Sequence, residues 1–203
     1  MKIFIVGLPQ SGRTTVAKSV CQEKGFNYVD AFSWIRSNFR DPKPGEHLRQ
    51  FEDEFHYWLI GRMKNNPRMF VDMVHSTMDS YPDKDANFII DGLVSPRDFA
   101  ELFDYNNDFV VFLNRTNGQD VEVQDYQNIG VSVMRDYCFW LSSAGLLPKS
   151  RWFEYNFKLS DEDSDSFKAL GSKNSVFMIR SFKRVISHLK ETLQELILPS
   201  HQS

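Results

Sequence analysis

The chain has little cysteine, no long apolar run and no surplus of basic charge, and each shortage removes a class of function. Only Cys21 and Cys138 occur in 203 residues, and no metal or redox spacing links them. Both fall in apolar helical patterns and read as packing residues in a reducing, cytoplasmic setting. No stretch approaches the apolar length that crosses a bilayer. The short apolar run after Lys2 soon meets Gly7 and charged residues, so no secretory signal is expected. Lys and Arg total 24 against 27 Asp and Glu, a formal net charge of −3. That balance gives no global support for nucleic-acid binding and leaves room only for a local basic groove. His47, His56 and His75 stand at no ligand spacing and read as structural or surface residues. There is no internal repeat and no domain-sized linker. A single domain over 1–198 is expected, followed by a disordered tail at 199–203.

What the chain does have is concentrated near its start. Lys2-Ile3-Phe4-Ile5-Val6 is an apolar, β-branched run, and Gly7-Leu8-Pro9-Gln10-Ser11-Gly12-Arg13-Thr14-Thr15 follows directly. Two glycines five apart, then a cation, then hydroxyl residues, reproduce the phosphate-binding P-loop G-x-x-x-x-G-K-[ST] with Arg13 at the lysine position. Gly7 and Gly12 let backbone N–H groups close around an anion, and the helix that follows aims its unpaired N–H groups at the same place. Gly7, Pro9, Gln10, Ser11, Gly12, Arg13, Thr14 and Thr15 are therefore the candidate ATP-binding residues. Thr14 offers a hydroxyl to Mg²⁺, and Arg13 supplies an always-charged group to the phosphates in a planar, bulkier form than lysine.

The rest of the chain alternates strand and helix patterns. Helices are predicted over 14–24, 32–39, 46–64, 70–78, 96–103, 129–141 and 175–196, and strands over 3–6, 26–29, 88–90, 109–113 and 152–159. Alternation of this kind predicts a three-layer α/β/α fold of the P-loop NTPase type, with a roughly five-stranded parallel sheet and function gathered at the carboxyl ends of the strands. The polar stretch Asn114 to Gln127 is expected to be a loop, either a lid over 114–128 or plain surface. Phe51, Phe55, Trp58, Leu59 and Met63 form a helical stripe that reads as core.

Two carboxylates end strands. Asp91 closes Phe88-Ile89-Ile90, where P-loop proteins carry a Mg²⁺-holding acid, so Thr14 and Asp91 are the candidate metal ligands. Asp30 closes Phe26-Asn27-Tyr28-Val29. It reads as the cap of the following helix.

Asp91-Gly92-Leu93-Val94-Ser95-Pro96-Arg97 resembles the D-G-F-P-R segment of adenylate-kinase-like nucleoside monophosphate kinases, with Val94-Ser95 inserted. Asp30 to Arg36 falls where those enzymes carry S-T-G-D-x-L-R and matches its final arginine. The resemblance spans roughly 1–115 and implies acceptor contacts from Arg36 and Arg97, beside Asp30. It also implies lid arginines, for which Arg115 and Arg135 are the candidates. The chain is similar as well to P-loop polynucleotide kinases and to phage kinases of hydroxymethyluracil in DNA, which place a carboxylate where Asp30 stands. That second likeness implies a hydroxyl acceptor with Asp30 as the base facing the γ-phosphate, and the compact size and divergent motifs suit a viral enzyme in a host cytoplasm.

The function expected is transfer of the γ-phosphoryl group of Mg-ATP to a nucleoside monophosphate or nucleoside, with Arg13, Asp30, Asp91, Arg115 and Arg135 as the candidate catalytic set. A hydroxyl on modified-base DNA or a polynucleotide end is the alternative acceptor. A degenerate nucleotide-binding module is the second alternative, supported by the missing P-loop lysine. No N-K-x-D segment is present to read guanine.

Overall fold

The computed structural model describes residues 1–7, 11–83, 85–93, 95–116 and 126–158. Five strands form one sheet: β1 (Lys2–Gly7), β2 (Asn27–Asp30), β3 (Phe88–Asp91), β4 (Phe109–Thr116) and β5 (Trp152–Lys158). Their order is β2-β3-β1-β4-β5, and every pairing is parallel. The helices between them are α1 (Arg13–Lys24), α2 (Ala31–Ser37), α3 (Leu48–Asn65), α4 (Met69–Asp79), α5 (Pro96–Leu102) and α6 (Tyr126–Ser143).

The strands are apolar on both sides because both sides are covered. Ile3, Ile5, Ile89, Val111 and Leu113 face Val16, Ala17 and Val20 of α1. Phe4, Val6, Ile90, Val110 and Phe112 join a larger core with residues of α2 through α6. Phe51, Phe55 and Leu59 of the α3 stripe are buried as expected, whereas Trp58 and Met63 only pack against the core. Helix ends follow local chemistry. Gly25 takes a left-handed φ of 71° and its N–H closes α1 on the Cys21 carbonyl. Ser95 caps α5, with Pro96 in its first turn.

One expectation is corrected at β4. Asn114, Arg115 and Thr116 are strand, not the start of a loop, and pair with Asn156, Phe157 and Lys158 of β5. Ladder hydrogen bonds to a neighbouring strand carry β4 past the end of its apolar run. At the other end of that stretch, Tyr126 already belongs to α6. Of the lid expected over 114–128, positions 117–125 lie outside the described residues, as do the helix expected over 175–196 and the tail. Cys21 and Cys138 are both free thiols, and burial pushes the Cys138 thiol up to about 12.

Candidate active site

The site is assembled where β1, β3 and β2 end. Gly7 is the last residue of β1, and Gly12 precedes α1 with a left-handed φ of 86°. A Cβ on Gly7 would lie 2.5 Å from the Leu113 carbonyl oxygen and 2.6 Å from Ser11 Oγ, so the entry to the loop admits no side chain. Ser11 is buried and its Oγ has no hydrogen-bond partner among the described residues. Leu8, Pro9 and Gln10 lie outside the described residues.

The sheet register then aligns the two carboxylates. Ile5 of β1 is level with Asp91 of β3, and Asp91 is level with Asp30 of β2. Asp91 is buried, and its Oδ2 accepts hydrogen bonds from Thr14 Oγ1 at 2.9 Å and from the Tyr28 hydroxyl at 3.0 Å. Its Oδ1 is buried without a hydrogen-bond partner among the described residues. Arg13 Nη1 stands 3.5 Å from that oxygen, close enough to pair charge but too long for a good hydrogen bond. Burial pushes the Asp91 carboxyl above the ordinary carboxylate range, and the charge of Asp30 adds to the rise. Arg13, Thr14 and Tyr28 pull it back less than burial raises it.

Asp30 is only half-buried and has different partners. Its Oδ1 accepts the Ser33 backbone N–H at 2.8 Å, which caps α2. Its Oδ2 lies 3.2 Å from the Tyr28 hydroxyl. The two readings of Asp30 are therefore compatible: one oxygen caps while the other faces the Asp91 side. Tyr28 has one hydroxyl hydrogen to share between two acids. Burial, and then the Asp91 charge, push the Tyr28 hydroxyl upward, so it remains a donor.

Tyr28 was not among the residues expected from sequence. Its signal was the alternation of the second strand, which puts positions 28 and 30 on one face. Its second partner, 63 residues away, is visible only once register is known.

The candidate arginines separate. Arg13 joins the cluster. Arg36 lies with its guanidinium carbon 5.1 and 5.0 Å from the Phe51 and Phe55 ring centres of α3. Arg97 is exposed in the first turn of α5. Arg135, on α6, pairs with Glu154 of β5 at 2.9 Å. The backbone of Arg115 is in β4, and its side chain lies outside the described residues.

These residues fit a metal-bound nucleotide. The underused, buried Asp91 Oδ1 and the Thr14 hydroxyl form a small hard-oxygen set. Among the described residues no group of three His, Cys, Asp or Glu is placed to hold a metal. A site made of one carboxylate and one hydroxyl suits Mg²⁺ that takes its other ligands from phosphates and water.

No family model and no curated protein matches the chain. Its fold is similar to that of shikimate kinase from Aquifex aeolicus, with a TM-score of 0.50 and 12% identity over 98% of this chain and 99% of that one. Shikimate kinase from Bacteroides thetaiotaomicron matches with a TM-score of 0.41 and 14% identity over 94% of this chain and 98% of that one. At 12% identity the first likeness is one of fold: the five-stranded parallel sheet with its helices is the P-loop α/β architecture. Neither of these neighbours is named as a nucleotide or DNA kinase. Among the described residues no helix is long and apolar enough to cross a membrane.

Proposed function

We propose that the protein is a P-loop kinase that transfers the γ-phosphoryl group of Mg-ATP to a nucleotide-type acceptor seated at the end of β2. The observation that carries this reading is the Thr14–Asp91 hydrogen bond of 2.9 Å at the head of a strand–loop–helix phosphate motif. It joins the hydroxyl and the acid that P-loop enzymes use on one metal. Thr14 and Asp91 would hold Mg²⁺, which when bound neutralises charge on the β- and γ-phosphates. Residues 7–15 provide the phosphate cradle, and Arg13 brings positive charge to it. The likeness to a shikimate kinase fold supports phosphoryl transfer as the reaction class.

Asp30 favours a hydroxyl acceptor over a phosphate acceptor. A hydroxyl must lose its proton as it attacks, and a carboxylate one strand away from Asp91 can take it. Nucleosides, hydroxymethylated bases in DNA and polynucleotide ends all carry such a hydroxyl. Arg36 and Arg97 remain the acceptor-side cations under this reading, and Arg115 and Arg135 the lid-side ones.

Incubation with γ-labelled ATP and a panel of nucleosides, nucleoside monophosphates, shikimate, and DNA with ordinary or hydroxymethylated bases tests the proposal. Label on a hydroxyl-bearing nucleotide-type acceptor is the expected result. Label confined to monophosphates would remove the base role of Asp30. Retained ATP binding without label on any acceptor would favour a nucleotide-binding module instead. One observation already supports that second reading: Arg13 leans on Asp91, the acid on which metal binding depends.

A further inference from the structure

A cavity of about 260 Å³ opens between α2, α3 and the start of α4, and no residue of the phosphate site lines it. Helical spacing builds it. Trp34 of α2 and Asn38, the residue that caps its end, are one turn apart, and Trp58, Arg62 and Asn65 follow at four- and three-residue steps on α3. Ile35 and Met69 also line it, Ile35 as a fully buried residue.

The groups around it carry unspent recognition chemistry. Trp34 is 45% exposed, a large aromatic surface left to solvent. Trp58 is held by Phe39 and Phe55, with ring centres 5.3 and 6.0 Å away. Arg62 lies 5.5 Å over the Trp58 ring and has no carboxylate partner among the described residues. Asn38 donates its amide N–H to the Trp34 carbonyl at 2.7 Å, which leaves its side-chain oxygen as an acceptor. The Asn65 side chain has no hydrogen-bond partner among the described residues. Indole faces, amide edges and a guanidinium around one cleft suit a flat heterocycle that stacks, hydrogen-bonds at its edge and carries negative charge nearby.

We propose that this cleft takes the nucleobase of the acceptor. Its volume lies just below the range of about 300–1,000 Å³ typical of whole-ligand pockets, so it suits the ring system and leaves the sugar outside. Trp34 follows Asp30 by four residues, about 6 Å along a helix, which lets one ligand place its base in the cleft and its hydroxyl toward Asp30. The assignment of the cleft to the acceptor rests on the kinase reading. The binding of a base does not.

Equilibrium binding of deoxynucleosides and of short single-stranded oligodeoxynucleotides, measured by calorimetry without ATP, tests it. The wild-type protein is expected to bind at least one of these probes. Binding of free nucleosides identifies a small-molecule acceptor, and binding of oligonucleotides alone identifies a base presented by a strand. Trp34→Ala should weaken the bound probe about 10-fold or more, within the range for loss of one stacked base, and Arg62→Ala should weaken it less. ATP affinity should stay within twofold in both variants. Absence of probe binding while ATP still binds would overturn the cleft and leave the kinase reading standing. Unchanged probe affinity in both variants, or an equal loss for ATP, would also overturn it. Loss of ATP binding by the wild type with base binding intact would instead overturn the kinase reading alone.

Discussion

The ends of β3 and β2 carry the same residue at the same level of one sheet, yet they are prepared for different work. Asp91 is 2% exposed, accepts from Thr14 and Tyr28, and keeps one oxygen without a hydrogen bond among the described residues. Asp30 is more open and spends one oxygen on a helix cap. Under the proposed function, burial suits the first to stabilise a cation, and access suits the second to meet a substrate proton. Residue type alone assigns neither role; the neighbours do, and Tyr28 is the neighbour that both share.

Asp91→Asn should have the largest effect. Phosphoryl transfer should fall by about 10²–10³-fold, while thermal stability without ligands holds or rises, because a buried, underpaired carboxylate is replaced by a neutral group. Steady-state kinetics beside thermal melts would show both. A variant that loses stability and activity together would mean that Asp91 is mainly structural. Asp30→Asn should lower hydroxyl-directed transfer by about 10²-fold with ATP affinity retained, since asparagine caps a helix nearly as well as aspartate. Undiminished transfer in that variant would reduce Asp30 to a cap. Asp30→Ala should add a stability loss of about 1 kcal/mol from the missing cap, readable as a lower denaturant midpoint.

Tyr28→Phe should act on both ends at once and more weakly. It removes the shared donor, with an expected cost of about 1 kcal/mol and a fall in Tm of a few degrees. If Asp91 alone depends on Tyr28, a double-mutant cycle with Asp30→Asn will show additivity instead of coupling.

The smallest effect is expected far from both strand ends. Arg40 bonds Glu46 and Glu54 and clasps the segment before α3. Those bonds hold the Glu46 carboxyl down at about 2, against an ordinary 4.5. The clasp is therefore complete above the ordinary value and is lost as pH falls from there toward about 2. Amide exchange in that segment should quicken over this window.

Much of the fold was legible because apolar β-branched runs alternate with helical stripes, and the ends of β1, β2 and β3 are marked by Gly7, Asp30 and Asp91. Asn114 to Thr116 escaped for a physical reason: pairing with the partner strand continues past the apolar run, where polar residues no longer show the period in sequence. In the site, the Gly7–Gly12–Thr14 spacing was readable because it is local. The Tyr28 bridge, the Arg13–Asp91 pair and the aromatic cleft were not, because each depends on which distant residues share a level or a groove.

The parallel register of β1, β3 and β2 has a consequence for how such a site can change over time. Neighbouring strands sit about 4.8 Å apart, so the sheet acts as a ruler whose marks are whole residues. The spacing between the two carboxylates cannot be tuned by small steps. A slip of one position would put Ile90 level with Asp30. Adaptation to a new acceptor is therefore channelled away from the strands and into α2 and α3, where side chains can be exchanged one at a time without disturbing the phosphate end.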